Sequence, residues 1–211
     1  MNLLAREYLL PTGPVDHADW NYKPIIGAIQ RLRFSLILRL IGDRRFGSVL
    51  EIGYGSGVFM PELKRRAHRL TGIDIHNRNA EVSAMLGKSG VAAELHSASM
   101  TSIPFPDATF DCAVAVSALE FVDDADQACR EIRRVLKPGG EFLLVTPGSS
   151  PLLDLGLWAL TRQSAKKDFA GGRERVIPAV QNYFDTGSEI RSPRVGHQLV
   201  CLYRAMRMIR S

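Results

Sequence analysis

Val49-Leu50-Glu51-Ile52-Gly53-Tyr54-Gly55-Ser56-Gly57-Val58-Phe59-Met60-Pro61 is the stretch on which the fold turns. Val49, Leu50 and Ile52 make a short apolar run of the kind a buried strand requires. Glycines then occupy alternate positions, and an amphipathic helical pattern begins. Glycine lets a backbone bend sharply and lets a ligand approach the main chain closely. A helix that starts after such a turn aims unpaired N–H groups and a partial positive charge at whatever sits there.

The spacing separates two ways of using this turn. A dinucleotide fingerprint, G-x-G-x-x-G, would put its third glycine at position 58. That residue is Val58, and the third glycine is Gly57. The pattern from Glu51 to Gly57, E-x-G-x-G-x-G, resembles the first motif of the class I S-adenosylmethionine-dependent methyltransferases. A glycine-rich tight turn with no ligand is the plainer alternative.

Further motifs follow in the same order as in that family. Leu70, Gly72 and Ile73 read as a second strand ending at Asp74, after a helix extended through Leu63, Ala67 and Leu70. A carboxylate at the tip of the second strand of a βαβ unit can accept hydrogen bonds from ribose hydroxyls. His76 can reach an adenine or face solvent, and solvent is the simpler reading. Asn77 is read as the cap of a helix running to about Lys88, and Val91–Leu95 as a third strand. Pro104-Phe105, Asp107 and Phe110-Asp111 resemble the family's P-F-x-D-x-x-F-D run, and Phe110–Val116 forms a fourth buried strand. Asp123 and Asp124 cap a helix carrying Ala128, Ile132, Val135 and Leu136 on one face. Leu136-Lys137-Pro138-Gly139-Gly140 resembles the family's turn before a fifth strand, where it ends the helix and reverses the chain.

The resemblance covers roughly residues 48–147. It implies an α/β fold: a doubly wound, mainly parallel sheet with an N-terminal helical lid. The cofactor implied is S-adenosyl-L-methionine. The residues implied to hold it are Glu51, Gly53, Tyr54, Gly55, Gly57, Asp74, Ile75, Ser99, Met100 and Ser117. Ser99 departs from the pattern, because the family commonly has an aspartate there to accept from the adenine amino group. Phe121 also departs, standing where many small-molecule members have histidine. The Asn/Asp-Pro-Pro-aromatic motif of nucleic-acid amino-methylating members is absent, so nucleic acid is not the expected partner.

The remaining sequence sets bounds. The chain has 211 residues and a formal charge of +5, and reads as a single domain: an N-terminal helical cap (1–46), a cofactor-binding core (47–147), and substrate-side and C-terminal elements (148–211). Cys112, Cys129 and Cys201 show no C-x-x-C spacing, so neither a disulfide framework nor a metal site is expected. No apolar run reaches a membrane span, and Arg6 and Glu7 interrupt any signal-peptide layout, which gives a cytoplasmic setting by default.

Pro24 suits the first turn of a helix in which Ile25, Ile29, Leu32, Leu36 and Leu40 recur through Ile41. Arg31, Arg33 and Arg39 lie among these apolar residues. They read as solvated arginines on a core-packing helix, with peripheral lipid contact by a basic amphipathic face as the sharper alternative. His17 to Tyr22 concentrates polar and aromatic handles, and by the resemblance forms the lid. Leu152–Leu160 suggests an apolar helix. Lys166, Lys167, Arg173 and Arg175 around Gly171-Gly172 suggest a flexible basic loop, and Ile177–Phe184 a short helix. Residues 190–195 and 198–204 fit a closing hairpin, while Leu199, Leu202, Tyr203, Met206 and Ile209 fit a helix equally well.

The functional expectation is methyl transfer to a small-molecule acceptor, with a lipid-like one suggested by the greasy segments 25–41 and 152–160. If the acceptor carries a proton, something must take it. His17, Tyr22 and Glu120 are the candidates; packing, capping or exposure is the plain reading of each. A non-catalytic donor-binding module and an NAD-type oxidoreductase are the alternatives. The acceptor and the oligomeric state are not legible.

Overall fold

A computed structural model describes residues 1–13, 16–148, 172–193 and 201–211. The strands are β1 (Phe46–Ile52), β2 (Ala67–Asp74), β3 (Glu94–Ser97), β4 (Phe110–Val116), β5 (Leu136–Pro147), β6 (Asp185–Ser192) and β7 (Tyr203–Ile209). They form one sheet in the order β3-β2-β1-β4-β5-β7-β6. The first five are mutually parallel; β7 runs antiparallel to β5, and β6 antiparallel to β7. The helices are α1 (Pro24–Ile41), α2 (Met60–Lys64), α3 (Asn79–Lys88), α4 (Ala125–Val135) and α5 (Gly172–Tyr183).

Successive strand residues feed opposite cores. Val49, Val114 and Leu143 pack with Phe34 and Ile37 of α1, Leu63 of α2 and Leu86 of α3. Leu50, Ala113 and Leu144 pack on the other face with Ile132 of α4 and Val176 and Val180 of α5. Helices therefore cover both faces, and this is why the central strands read as unbroken apolar runs. The order reverses at β1, which pairs with β2 on one side and β4 on the other. Such a switch point opens a crevice outside the carboxyl ends of the strands.

Several expected boundaries shift. Helix α2 stops at Lys64, and Ala67 and Leu70 belong to β2, because Ala67 must pair with Phe46 to start the ladder. Helix α3 begins at Asn79, not after a cap at Asn77. There His76 Nδ1 accepts from the Arg78 N–H, at 3.1 Å. The third strand is Glu94–Ser97 rather than 91–95, in register with Thr71–Asp74 of β2. Leu136–Gly140 follows the end of α4 and bulges out of register, Leu136 pairing with Phe110 and Glu141 with Cys112. It is the irregular first stretch of β5, with Gly139 at φ +72° and its N–H on the Arg210 carbonyl at 2.8 Å.

At the C-terminus the helical alternative fails, and Tyr203–Ile209 is a strand. Its hairpin partner is Asp185–Ser192, not 190–195. Gly172 opens α5 rather than lying in a basic loop, so the helix expected at 177 starts earlier. Leu152–Leu160, Lys166, Lys167, Gly171, Val195 and Gln198 lie outside the described residues. On α1 the buried side chains are Phe34, Leu36, Ile37, Leu40 and Ile41, while Ile25 is 77% exposed. Among the described residues no helix is long and apolar enough to cross a membrane.

Candidate active site

The turn after β1 carries positive φ at Gly53 (74°), Gly55 (51°) and Gly57 (73°). At Gly53 a β-carbon would stand 2.7 Å from Ala118 Cβ, so conformation and space both demand glycine. Asp74, at the end of β2, leans across the switch point. Its Oδ2 accepts from the Gly55 N–H at 2.8 Å, and Oδ1 from the His76 N–H at 3.4 Å. His76 does not face solvent. Its Nε2 lies 3.0 Å from the Gly55 carbonyl and its ring meets Tyr54 edge-on at 5.0 Å. The histidine thus ties the tip of β2 to the glycine turn.

Around this turn opens a cavity of about 1170 Å³. Glu51, Gly53, Tyr54, Gly55, Asp74, Ile75, Ser99, Met100 and Ser117 all line it. Gly57 does not. It packs beneath the turn, where an added carbon would press on Leu86 and Val82 at 3.3–3.4 Å. Ile75 is 80% exposed at the rim, an apolar surface beside a carboxylate. Ser99 Oγ pairs with Thr101 Oγ1 at 2.7 Å and accepts from the Thr101 N–H. Ser117 holds a left-handed φ of 52°, unusual for a residue with a side chain, and its Oγ has no partner among the described residues.

Burial dominates the electrostatics here. It pushes the Glu51 carboxyl up to about 8, with nearby Asp74 adding to the shift and Arg33 opposing it. Burial, then Asp74, likewise raises the Tyr54 phenol. Arg33, expected to be solvated, is half-buried and lines the cavity; desolvation lowers its affinity for a proton.

The proton-acceptor candidates separate. His17 lines the cavity and stacks on Trp20 with ring centroids 4.3 Å apart. Glu120 lines it and is buried. Tyr22 does not line it; its hydroxyl donates to the Leu4 carbonyl, and burial raises its pKa. Residues 1–13 and 16–22 run past the turn with two short 3-10 segments, Arg6–Tyr8 and Ala18–Tyr22. The Leu4 N–H donates to the Val58 carbonyl at 3.0 Å. Asp16, not anticipated from sequence, stands against Gly55, 3.5 Å from where a β-carbon would be. It accepts from Thr12 N and Oγ1 and from Ala18 N. Among the described residues no cluster could hold a metal ion.

A 3-2-1-4-5-7-6 sheet with an acidic strand tip beside a glycine turn narrows the choice, and residues 50–144 match the profile of a family described as a methyltransferase domain. Residues 50–144 form a class I methyltransferase domain.

Curated relatives agree with this. A ubiquinone/menaquinone biosynthesis C-methyltransferase from Vibrio cholerae is 36% identical over 135 residues, covering 61% of this chain and 51% of that protein. A sterol 4-C-methyltransferase from Caenorhabditis elegans is 35% identical over 98 residues, covering 45% of this chain and 29% of that protein. The chain thus spans about half, or less, of the length of these relatives. Among solved structures, a geranyl diphosphate C-methyltransferase from Streptomyces coelicolor A3(2) superposes with a TM-score of 0.68 at 14% identity, covering 95% of this chain and 85% of that one. That likeness shows the fold.

S-adenosylmethionine is the cofactor of this domain class, and the residues present fit it. The methyltransferase domain offers glycines whose space a side chain would fill, a carboxylate at the tip of β2, and buried polar atoms on Glu51 and Ser117 with no partner among the described residues.

Proposed function

We propose that this chain transfers the methyl group of S-adenosylmethionine to a small, apolar, lipid-like acceptor. The observation that carries this reading is the continuity of the cavity. It joins Gly53, Gly55 and Asp74 to an apolar wall of Ile26, Ile29, Phe34, Val58 and Leu202. Its volume of about 1170 Å³ exceeds what one drug-sized ligand commonly fills, roughly 300–1,000 Å³, so donor and acceptor fit together. The curated relatives point the same way: their names specify quinone and sterol methylation.

The bound donor supplies a methyl already activated on a sulfonium, so the protein mainly has to align two partners and exclude water. Asp74 would take the ribose hydroxyls, giving up its bond from the Gly55 N–H. Ile75 would cover a face of the adenine, and Ser99 and Met100 would meet its edge. Glu51, Gly53, Tyr54, Gly55 and Ser117 would surround the methionine end, with Gly57 holding the turn in shape from below. The segment 1–22 would act as the lid, placing His17 and Trp20 over the acceptor. The donor would supply an electrophilic methyl whose bond to sulfur breaks as the acceptor's electron pair takes it, leaving that bond's electrons on sulfur. Any proton lost by the acceptor goes to His17 or Glu120; Tyr22 is turned away. We infer the same for small-molecule rather than nucleic-acid acceptors, since the residues after β4, Ser117–Phe121, lack the nucleic-acid motif.

Asp74→Ala is the test. Calorimetric titration with S-adenosylmethionine should show at least tenfold weaker binding while circular dichroism stays unchanged; retained affinity sinks the proposal. A mass-spectrometric screen of quinone, sterol and isoprenoid acceptors then seeks a product 14 Da heavier. Ser99 in place of an aspartate favours one second reading, a donor-binding module without turnover. Tight donor binding with no methylated product would select it.

A further inference from the structure

Arg33 is a half-buried cation on the cavity wall. It follows the half-buried Leu32 and precedes the buried Phe34 along α1. Its Nε is buried with no hydrogen-bond partner among the described residues. Its guanidinium carbon lies 4.9 Å from the ring of Phe34. A charge held partly out of water is costly to the extent that nothing pairs with it. A guanidinium presents five N–H donors in a planar fork shaped for an oxyanion.

Three carboxylates of this chain, Glu120, Asp16 and Glu51, act on it. Asp16 is occupied by the donors of Thr12 and Ala18. Glu51, with its carboxyl near 8, is largely protonated at neutral pH. The groups that act on Arg33 most strongly are Tyr203, at the start of β7, and Glu120, after β4; Asp16 and Glu51, beside the glycine turn, act less. Arg33, Glu120 and Tyr203 all line the cavity. The apolar residues Ile29, Phe34 and Leu202 line the same cavity.

We propose that the Arg33 guanidinium is the polar anchor for the acceptor, and that the acceptor is an apolar molecule bearing an ionised oxygen such as a carboxylate, phenolate or enolate. This rests on the reading of the cavity as a donor-plus-acceptor site and names the acceptor's chemistry within it. Arg33 positions and selects; the proposal gives it no part in moving the methyl group or a proton.

The probe is octanoate against octanamide, two chains of equal length differing in charge at one end. Both are titrated into the full chain, alone and saturated with S-adenosylhomocysteine, by calorimetry or ligand-observed NMR. Wild type is expected to bind octanoate at least tenfold more tightly than the amide. Arg33→Gln abolishes that preference, and Arg33→Lys, which keeps a charge at the site, retains part of it. Equal affinity of the wild type for the two probes overturns the proposal without reference to any variant. So does a tenfold loss of S-adenosylhomocysteine affinity in Arg33→Gln with the octanoate preference intact, since Arg33 would then serve the donor's carboxylate. Failure of the wild type to bind S-adenosylhomocysteine sinks the methyltransferase reading instead. The octanoate comparison on the free chain would still decide the role of Arg33.

Discussion

Glu51 ends β1 inside the protein, where burial and the nearby Asp74 carboxylate both disfavour its charge. With a folded value near 8 against an ordinary 4.5, the native state holds a proton that the unfolded chain releases. Stability from this group is therefore full below about pH 4.5 and declines as pH rises toward 8. Glu51→Gln removes the titration. Its melting temperature should fall less than that of wild type between pH 5 and 8.5, a difference of a few kcal/mol at the alkaline end. Parallel profiles for the two proteins would refute this. A cationic donor favours the ionised carboxylate, so S-adenosylmethionine binding should release a proton near pH 7. Calorimetry in buffers of different ionisation enthalpy reads that release directly.

At the scale of elements, the Pro104-Phe105-Pro106-Asp107 run is clamped by α4. Arg134 of α4 donates to the carbonyls of Ile103 and Phe105 and to the Asp107 carboxylate, at 2.8–2.9 Å. Glu131 accepts from the Ile103 N–H at 2.8 Å and pairs with Arg134. Helix α4 thus fixes the loop between β3 and β4, and with it the position of Ser99 and Met100. Arg134→Ala should cost about 1–2 kcal/mol, allowing for partial exposure, and should weaken donor binding through the loop. Urea unfolding and a donor titration on the same variant test both halves. An unchanged donor affinity would mean that the loop keeps its place without the clamp.

The sequence showed this run as a family marker but gave no sign of its partner, because Arg134 lies 27 residues beyond Asp107 and looks like any solvated helix arginine. The place of Arg33 on the cavity wall was hidden for the same reason: periodicity shows which face of a helix a residue occupies, not what faces it across a cavity. The central strands and the glycine turn were legible, since both depend on local chemistry and period. The ends of α2 and β3 were not, because ladder register with β1 and β2 overrode the local apolar pattern. Tyr203–Ile209 was ambiguous between helix and strand until pairing with β5 and β6 decided it.

For the molecule as a whole, the cavity links donor occupancy to folding. Strands β1, β2 and β4, the turn after β1 and the segment before α1 all contribute to its wall. A ligand bound only by the native state at a hundred times its dissociation constant adds about 2.7 kcal/mol of stability. For a domain of this size that is a rise in melting temperature of roughly 5–10 °C. S-adenosylhomocysteine should produce such a shift, and NAD at the same concentration none. The reverse result would favour the oxidoreductase reading against which Val58 argues.

The sequence by itself determined the glycine turn, the acidic strand tip, the buried central strands and their order along the chain. Those features arise from backbone conformation and from which residues avoid water, and both are local properties. Tertiary structure alone decided the order of strands across the sheet, and with it the crevice at β1 and β4. It also decided which polar residues are buried, turning Tyr22 toward Leu4 while leaving Arg33 and Glu51 facing the cavity. Burial and pairing depend on residues far apart in the chain, so no window of sequence contains them.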